Sequence, residues 1–170
     1  KKYARPGQTV QNDLQTNGLL LDDEWGGFLK QHNFLVGLSI DGPAEFHDKY
    51  RYTKGGHSTH AKVMSAVELL HKYEIPFSAL CVVNRLNCDY PLEVYRFLRD
   101  EVRAQTIQFI PVIEPRDFTK VAPQKWLSTS LPKHDDPRLH PDHPDSVITD
   151  WSVPAGNWGP FLVAVWNEWL

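Results

Sequence analysis

Residues able to do chemistry stand at corresponding places along this chain. Gln15, Thr16 and Asn17 close a first strand-like stretch, and Ser39 and Asp41 close a second in "LSIDGP". Asn84 closes a third in "VVN", while Gln108 and Glu114 bracket a fourth. Amides, hydroxyls and carboxylates grip polar ligands by hydrogen bonds, and each of these residues also has a plain structural use. Asp41-Gly42-Pro43 is a good turn sequence, Asn84 can cap a helix, and Glu114 can simply be solvated. Their repeated placement marks a site without naming its reaction. Arg51, in "HDKYR" (47–51), can offer its planar fork to a carboxylate or phosphate, or stand exposed on a short helix. Gly55-Gly56, in "KGGHSTH" (54–60), can hold an anion before a helix or form a flexible loop; it lacks the P-loop pattern.

Two further groups are weaker. His134, His140 and His143 are interleaved with Asp135, Asp136 and Asp142. Their spacing fits no regular helix or zinc motif and prolines interrupt it, so no physiological metal is expected there. Cys81, in "FSALCVV", reads as a buried strand residue, and Cys88 as a loop residue with no metal-ligand spacing. Two cysteines cannot supply the three or four thiolates that an iron–sulfur cluster takes, so this chain alone is expected to bind none. Free thiols suit a reducing cytoplasm.

The elements that must position these groups alternate along the chain. Strands are predicted at 10–16, 34–40, 77–83 and 106–112. The last three are nearly continuous apolar runs, the pattern of parallel strands covered on both faces. Gly18 supplies the left-handed backbone that a strand-to-helix turn often needs. Trp25, Phe28, Leu29 and His32 then recur at helical spacing. A second helix has Ser58 or Thr59 as its cap and Val63, Ala66, Val67 and Leu70 as its buried stripe. A third starts near Pro91 and buries Val94, Phe97 and Leu98, and a fourth follows Pro154 with Trp158, Phe161, Leu162, Val165 and Trp169 on one side. Between them, residues 116–153 read as an irregular surface excursion rich in Pro, Asp and His. Alternating strands and helices imply right-handed βαβ units in an α/β fold, either a barrel or an open sheet. Strand ends then share one face, where ligands bind.

Composition excludes several classes. A chain of 170 residues suits one domain or a piece of a larger one. The net charge of −3, with no basic run, gives no footprint for nucleic acid or an anionic membrane. No apolar stretch is long enough to span a bilayer, and no signal peptide opens the chain. Its ends, Lys1-Lys2 and Trp169-Leu170, fall mid-pattern and read as cut.

Taken in order, "LQTNGLLLDDEW", "HNFLVGLSIDGPAEFHDKYR", "VELLHKYEIPFSALCVVN", "IQFIPVIEP" and "VPAGNWGPFLVAVWNEW" carry a resemblance. The chain resembles the anaerobic sulfatase-maturating enzymes, radical S-adenosylmethionine proteins also called arylsulfatase regulators. The resemblance implies a partial parallel (β/α) barrel of the radical S-adenosylmethionine type, incomplete here, with 1–170 as a fragment of that domain. It also implies S-adenosylmethionine and 4Fe–4S clusters as cofactors of the parent protein, and a sulfatase polypeptide as its partner. In that family an N-terminal C-x-x-x-C-x-x-C motif holds the cluster that cleaves S-adenosylmethionine. The resulting radical abstracts hydrogen from Cβ of a cysteine or serine, which becomes formylglycine. This sequence contains neither that motif nor the family's auxiliary-cluster cysteines and catalytic aspartate, so no catalytic residue and no metal ligand is assigned, and the fragment alone is expected to be inactive. Matched by position, Ser39 and Arg51 hold the cofactor's methionyl carboxylate, the backbone of Ile113 contacts the adenine, and Gln15, Thr16 and Asn17 line the cavity. Asp41 belongs to the pattern with a structural or supporting role.

Two readings compete with this one. The chain can be a non-catalytic scaffold or binding domain derived from a β/α barrel, or a general β/α-barrel enzyme acting on a phosphate ligand. The latter needs paired carboxylates or a phosphate loop, and neither is evident. An incomplete barrel also exposes sheet edges, which favours self-association.

Overall fold

The computed structural model describes residues 5, 7–116, 132, 133 and 135–170. Four strands form one sheet in chain order: β1 (Asn12–Thr16), β2 (Phe34–Ser39), β3 (Phe77–Val83) and β4 (Thr106–Pro111). β1 runs parallel to β2, and β2 to β3, with Gln15 opposite Gly37 and Ser39 opposite Leu80. The amide of Gln105 donates to the Phe77 carbonyl and that of Val112 to the Val83 carbonyl, so β4 runs the same way as β3. The parallel, adjacent order predicted from the apolar runs is what the structure shows. β1 is shorter than 10–16, because Val10 lies outside the pairing and is 59% exposed.

One expectation about the sheet is corrected. Among the described residues one face is much better covered than the other. Val36, Leu38, Phe77, Ala79 and Cys81 are buried there. The alternate positions carry Gln15, Gly37, Ser39, Ser78, Thr106 and Gln108, which are half-buried or exposed, beside Leu80, which is buried. Ser78 Oγ and Thr106 Oγ1 lie 2.5 Å apart on this side. Period-two alternation puts these side chains on a common face. The apolar runs concealed this because Gly37 and Ser39 sit within an otherwise oily string.

The described chain divides into two compact units, Lys1–Cys81 with Arg96–Gln108, and Val82–Tyr95 with Phe109–Leu170. In the first, α1 (Asp23–Gln31) starts at Asp22, whose side chain accepts from the Trp25 amide. Of its expected stripe only Leu29 is buried, while Trp25 and Phe28 stay 43% and 45% exposed. Gly26 takes the close approach instead, since a Cβ there would stand 2.5 Å from the Tyr73 ring. α2 (Ala44–Tyr50) is short, and α3 (His60–Lys72) buries Val63, Ala66, Val67 and Leu70 as its spacing predicts. α4 (Pro91–Arg96), which lies in the second unit up to Tyr95, runs on as a wider turn over Phe97–Glu101, closed by the Val102 amide on the Phe97 carbonyl. Val94, Phe97 and Leu98 are buried as expected.

In the second unit, α5 (Ala155–Trp169) follows Pro154. Phe161 packs with Val83, Cys88 and Val153, flanked by Phe109, Trp158 and Val165. Leu162 and Trp169 do not join them and are 40% and 63% exposed.

Gly18 meets the demand its position sets. Its φ is +76°, and an added Cβ would lie 2.8 Å from Leu38 Cδ1 and 3.0 Å from the Ala66 Cβ. Gly18→Ala is therefore expected to destabilise the protein by roughly 1–3 kcal/mol, from left-handed strain plus the clash with Leu38. Denaturant unfolding measures this; a midpoint equal to that of the wild type would contradict it.

Candidate functional site

The site grows from the end of β2. Ile40 is buried, Gly42 turns the chain at φ +114°, and Pro43 leads into α2, with its carbonyl accepting from the Phe46 and His47 amides. After its seven residues α2 stops at Arg51, whose backbone is extended. This brings Arg51 back beside Asp41. Arg51 Nε donates to Asp41 Oδ2 at 2.5 Å, and Nη2 donates to Oδ1 at 3.1 Å. The Asp41 side chain is 4% exposed and that of Arg51 is 26% exposed. Such a two-point pairing fixes the plane of the guanidinium.

A second network pins the same segment. His47 is fully buried in α2. Its Nδ1 accepts from the Asp41 amide at 3.3 Å, and its Nε2 lies 3.1 Å from Thr59 Oγ1. The Thr59 hydroxyl donates to the Arg51 carbonyl at 2.7 Å. Its single proton is thus committed, so Nε2 of His47 must be the donor and Nδ1 the acceptor. Burial, opposed by the Asp41 carboxylate and reinforced by the Arg51 charge, pushes the imidazole pKa down to about 4.

Thr59 precedes α3 as expected, but its side chain does not cap it. Asp48 does: its Oδ1 accepts from the amides of Thr59 and His60 at 2.8 and 2.9 Å. A carboxylate at that helix start also complements the helix dipole. Sequence reading missed this because the capping group comes from α2, eleven residues earlier. Gly55-Gly56 lies in a tight hairpin in which Tyr52 bridges Ser58.

At the ends of β1 and β2 there is a cavity of about 230 Å³ lined by Asn17, Ser39, Tyr50, Arg51, Tyr52 and Thr59, among others. The structure therefore brings together three of the residues singled out from sequence: Asn17, Ser39 and Arg51. Thr16 instead shapes the turn, its hydroxyl accepting from the Gly18 amide. Asn17 Oδ1 likewise accepts from the Leu19 amide. Gln15 is exposed on the open face of the sheet, where its Cγ is a near neighbour of Gly37.

Other residues singled out from the sequence lie away from this cavity's lining. Asn84 is 3% exposed and its Oδ1 accepts from the Leu86 and Asn87 amides, a turn role. Glu114 accepts from Trp151 Nε1 at 2.6 Å, and Gln108 is exposed. Ile113 belongs to the second unit and is 59% exposed. His140 Nδ1 and His143 Nδ1 accept from the amides of Asp142 and Asp145. His134 lies outside the described residues, and among those described no group of three His, Cys, Asp or Glu is placed to share a metal ion.

Iron–sulfur chemistry does not fit the described residues. Cys81 and Cys88 are buried and form no disulfide. Burial pushes the Cys81 thiol well above its ordinary pKa. Burial and the nearby Asp89 carboxylate push Cys88 up to about 11. Metal ligation needs thiolates, which burial disfavours at both sulfurs. Among the described residues no helix is long and apolar enough to cross a membrane.

A parallel sheet whose strands alternate with helices, with polar strand ends around a cavity, is an open α/β layout. The solved structure of native anSMEcpe with bound AdoMet shares it over 99% of this chain and 38% of that one, with a TM-score of 0.74 and 28% identity. A second structure, native anSMEcpe with bound AdoMet and the Kp18Cys peptide, aligns over 64% of this chain and 30% of that one, with a TM-score of 0.61 and 39% identity. The fold is thus a partial β/α barrel of the radical S-adenosylmethionine type, its sheet not closed. No family model matches the chain. Among curated proteins, the serine-type anaerobic sulfatase-maturating enzyme of Bacteroides thetaiotaomicron is 40% identical over 100% of this chain and 38% of its own length. The cysteine-type enzyme of Clostridium perfringens is 38% identical over 68% of this chain and 31% of its own length. The chain is a homologue of part of the anaerobic sulfatase-maturating enzymes, and spans little more than a third of the length of the first of these relatives.

Proposed function

We propose that this chain forms the S-adenosylmethionine-holding part of a cytoplasmic protein that oxidises a cysteine or serine of a sulfatase polypeptide to formylglycine. The observation that carries the reading is the shared cavity: Ser39 and Arg51 meet at the strand ends of a chain 40% identical to a sulfatase-maturating enzyme. A hydroxyl beside a guanidinium suits a carboxylate. A volume near 230 Å³ suits an amino-acid-sized group, since pockets for drug-sized ligands run to about 300–1,000 Å³. Ser39 and Arg51 then hold the methionyl carboxylate, and Gln15, Thr16 and Asn17 line the way to the substrate; the adenine contact that the resemblance gives to the backbone of Ile113 falls in the second unit. Bound S-adenosylmethionine supplies the radical chemistry. The chain's own residues bind and orient it, and the open face of the sheet, with Gln15 and Ser39, faces the reaction space.

The test uses the full-length protein, anaerobic and reconstituted with iron and sulfide. With S-adenosylmethionine and a sulfatase-derived peptide it is expected to yield an aldehyde visible by mass spectrometry. Ser39→Ala should weaken cofactor binding by about 1 kcal/mol, the loss of one neutral donor. A protein that binds the cofactor yet never modifies such a peptide is a binding domain, and the proposed reaction fails.

A further inference from the structure

Arg51 lines the cavity, whereas the carboxylate of Asp41 is buried behind it. A guanidinium has two usable edges for a carboxylate: the side bearing Nε and one Nη, and the end bearing both Nη atoms. Asp41 occupies the side edge through Nε and Nη2. Among the described residues no hydrogen bond takes up Nη1. We propose that Asp41 is a positioning residue for ligand binding: by holding the Nε edge of Arg51 it presents the Nη edge to the ligand's α-carboxylate. This rests on the reading of Arg51 given above.

Both partners of the pair are fixed independently, which a casual ion pair would not require. The Asp41 amide is tied to His47 Nδ1, and the Arg51 carbonyl is tied to Thr59. His47 and Thr59 are bonded to each other, so the two backbones are joined through a buried link separate from the salt bridge. The guanidinium is therefore oriented before any ligand arrives, and less rotamer entropy is lost on binding.

The arrangement also sets specificity. Asp41 offsets the Arg51 charge, so the site gains little from net negative charge on a ligand. It favours a group whose carboxylate is accompanied by its own positive charge, as in an α-amino acid carrying a sulfonium. A phosphate, with no cation of its own, would meet the field of the Asp41 carboxylate without that compensation. This counts against the phosphate-ligand reading of the barrel.

The experiment is calorimetry on the full-length, reconstituted protein with two probes, S-adenosylmethionine and its decarboxylated analogue. Wild type is expected to prefer the former. Asp41→Asn should erase roughly tenfold of that preference, the scale of one charge-assisted contact, while binding of the decarboxylated probe stays unchanged. Asp41→Glu, which keeps the charge, should restore part of it. A purely structural role for Asp41 would weaken both probes together or neither. If Arg51→Ala abolishes the preference and Asp41→Asn keeps it, the positioning role is overturned while the carboxylate reading stands. If wild type shows no preference, Arg51 does not hold a carboxylate and both fall. Should Asp41→Asn fail to fold, a crystal structure of the wild type with S-adenosylmethionine decides. The carboxylate is expected on the Nη edge with Asp41 still on Nε, and an Arg51 turned away from Asp41 would overturn the proposal.

Discussion

Arg51→Ala is expected to damage folding more than it damages cofactor binding. The bond to a ligand carboxylate proposed for Arg51 is worth about 1.5–3 kcal/mol. The mutation also removes the cation paired with Asp41, whose side chain is 4% exposed. Breaking one side of a buried ion pair costs about 3–5 kcal/mol, because the remaining charge is left without compensation. The mechanism has a distinctive signature. Removing the stranded carboxylate as well, in Arg51→Ala with Asp41→Ala, should recover a good part of the lost stability. Denaturant unfolding of the wild type, the single variant and the double variant measures this. If the double variant is no more stable than Arg51→Ala alone, the uncompensated charge is not the cause.

Acid should weaken the protein through His47 before it reaches the carboxylates. The unfolded chain takes up a proton on this histidine near pH 6.5, while the folded protein resists until about pH 4. Between those values the unfolded state binds more protons, so stability falls as pH falls, and the loss levels off below about pH 4. Across that window it amounts to about 3 kcal/mol. The structural cause is plain. Protonating Nδ1 would place a second donor against the Asp41 amide, in a fully buried setting that also contains Arg51 and His60. Asp41 and Asp48 favour the charged form but do not outweigh burial. His47→Gln, which keeps an N–H for Thr59, should flatten the unfolding free energy between pH 6.5 and 4. Asp23, Asp100 and Asp136 have depressed carboxyl values, so their contributions are lost at lower pH and do not blur the window. An equally steep slope in His47→Gln would rule out this histidine as the source.

Sequence patterns disclosed what depends on local regularity. The runs that became β2, β3 and β4 are apolar and bounded by turn residues, and the stripe from Val63 to Leu70 is helical and buried. Gly18 was legible because few residues tolerate its backbone. Periodicity cannot show whether an apolar face is covered, so Trp25, Phe28, Leu162 and Trp169 read as core and are exposed among the described residues. The site was half legible. Ser39, Arg51 and Asn17 could be named, since strand ends gather ligands in α/β folds. The contacts that set their geometry could not. "SIDGP" reads correctly as a turn, yet nothing in that string says that Asp41 meets a guanidinium ten residues on. The contacts of Asp48, His47 and Thr59 were hidden for the same reason, because their partners are neighbours in space through a fold that returns on itself.

The hairpin between Arg51 and Thr59 carries one more consequence. Its two ends are fastened by the Thr59 bond to the Arg51 carbonyl and by Asp48 on the start of α3, and Tyr52 bridges Ser58 just inside them. Residues 53–57 between these fasteners are exposed or half-buried and bond mainly to one another. Lengthening a loop whose ends are already closed adds only about 0.6 kcal/mol for each doubling. The rim of this cavity is therefore a replaceable cassette: residues inserted between Tyr52 and Ser58 should cost little stability while the guanidinium behind it stays in register.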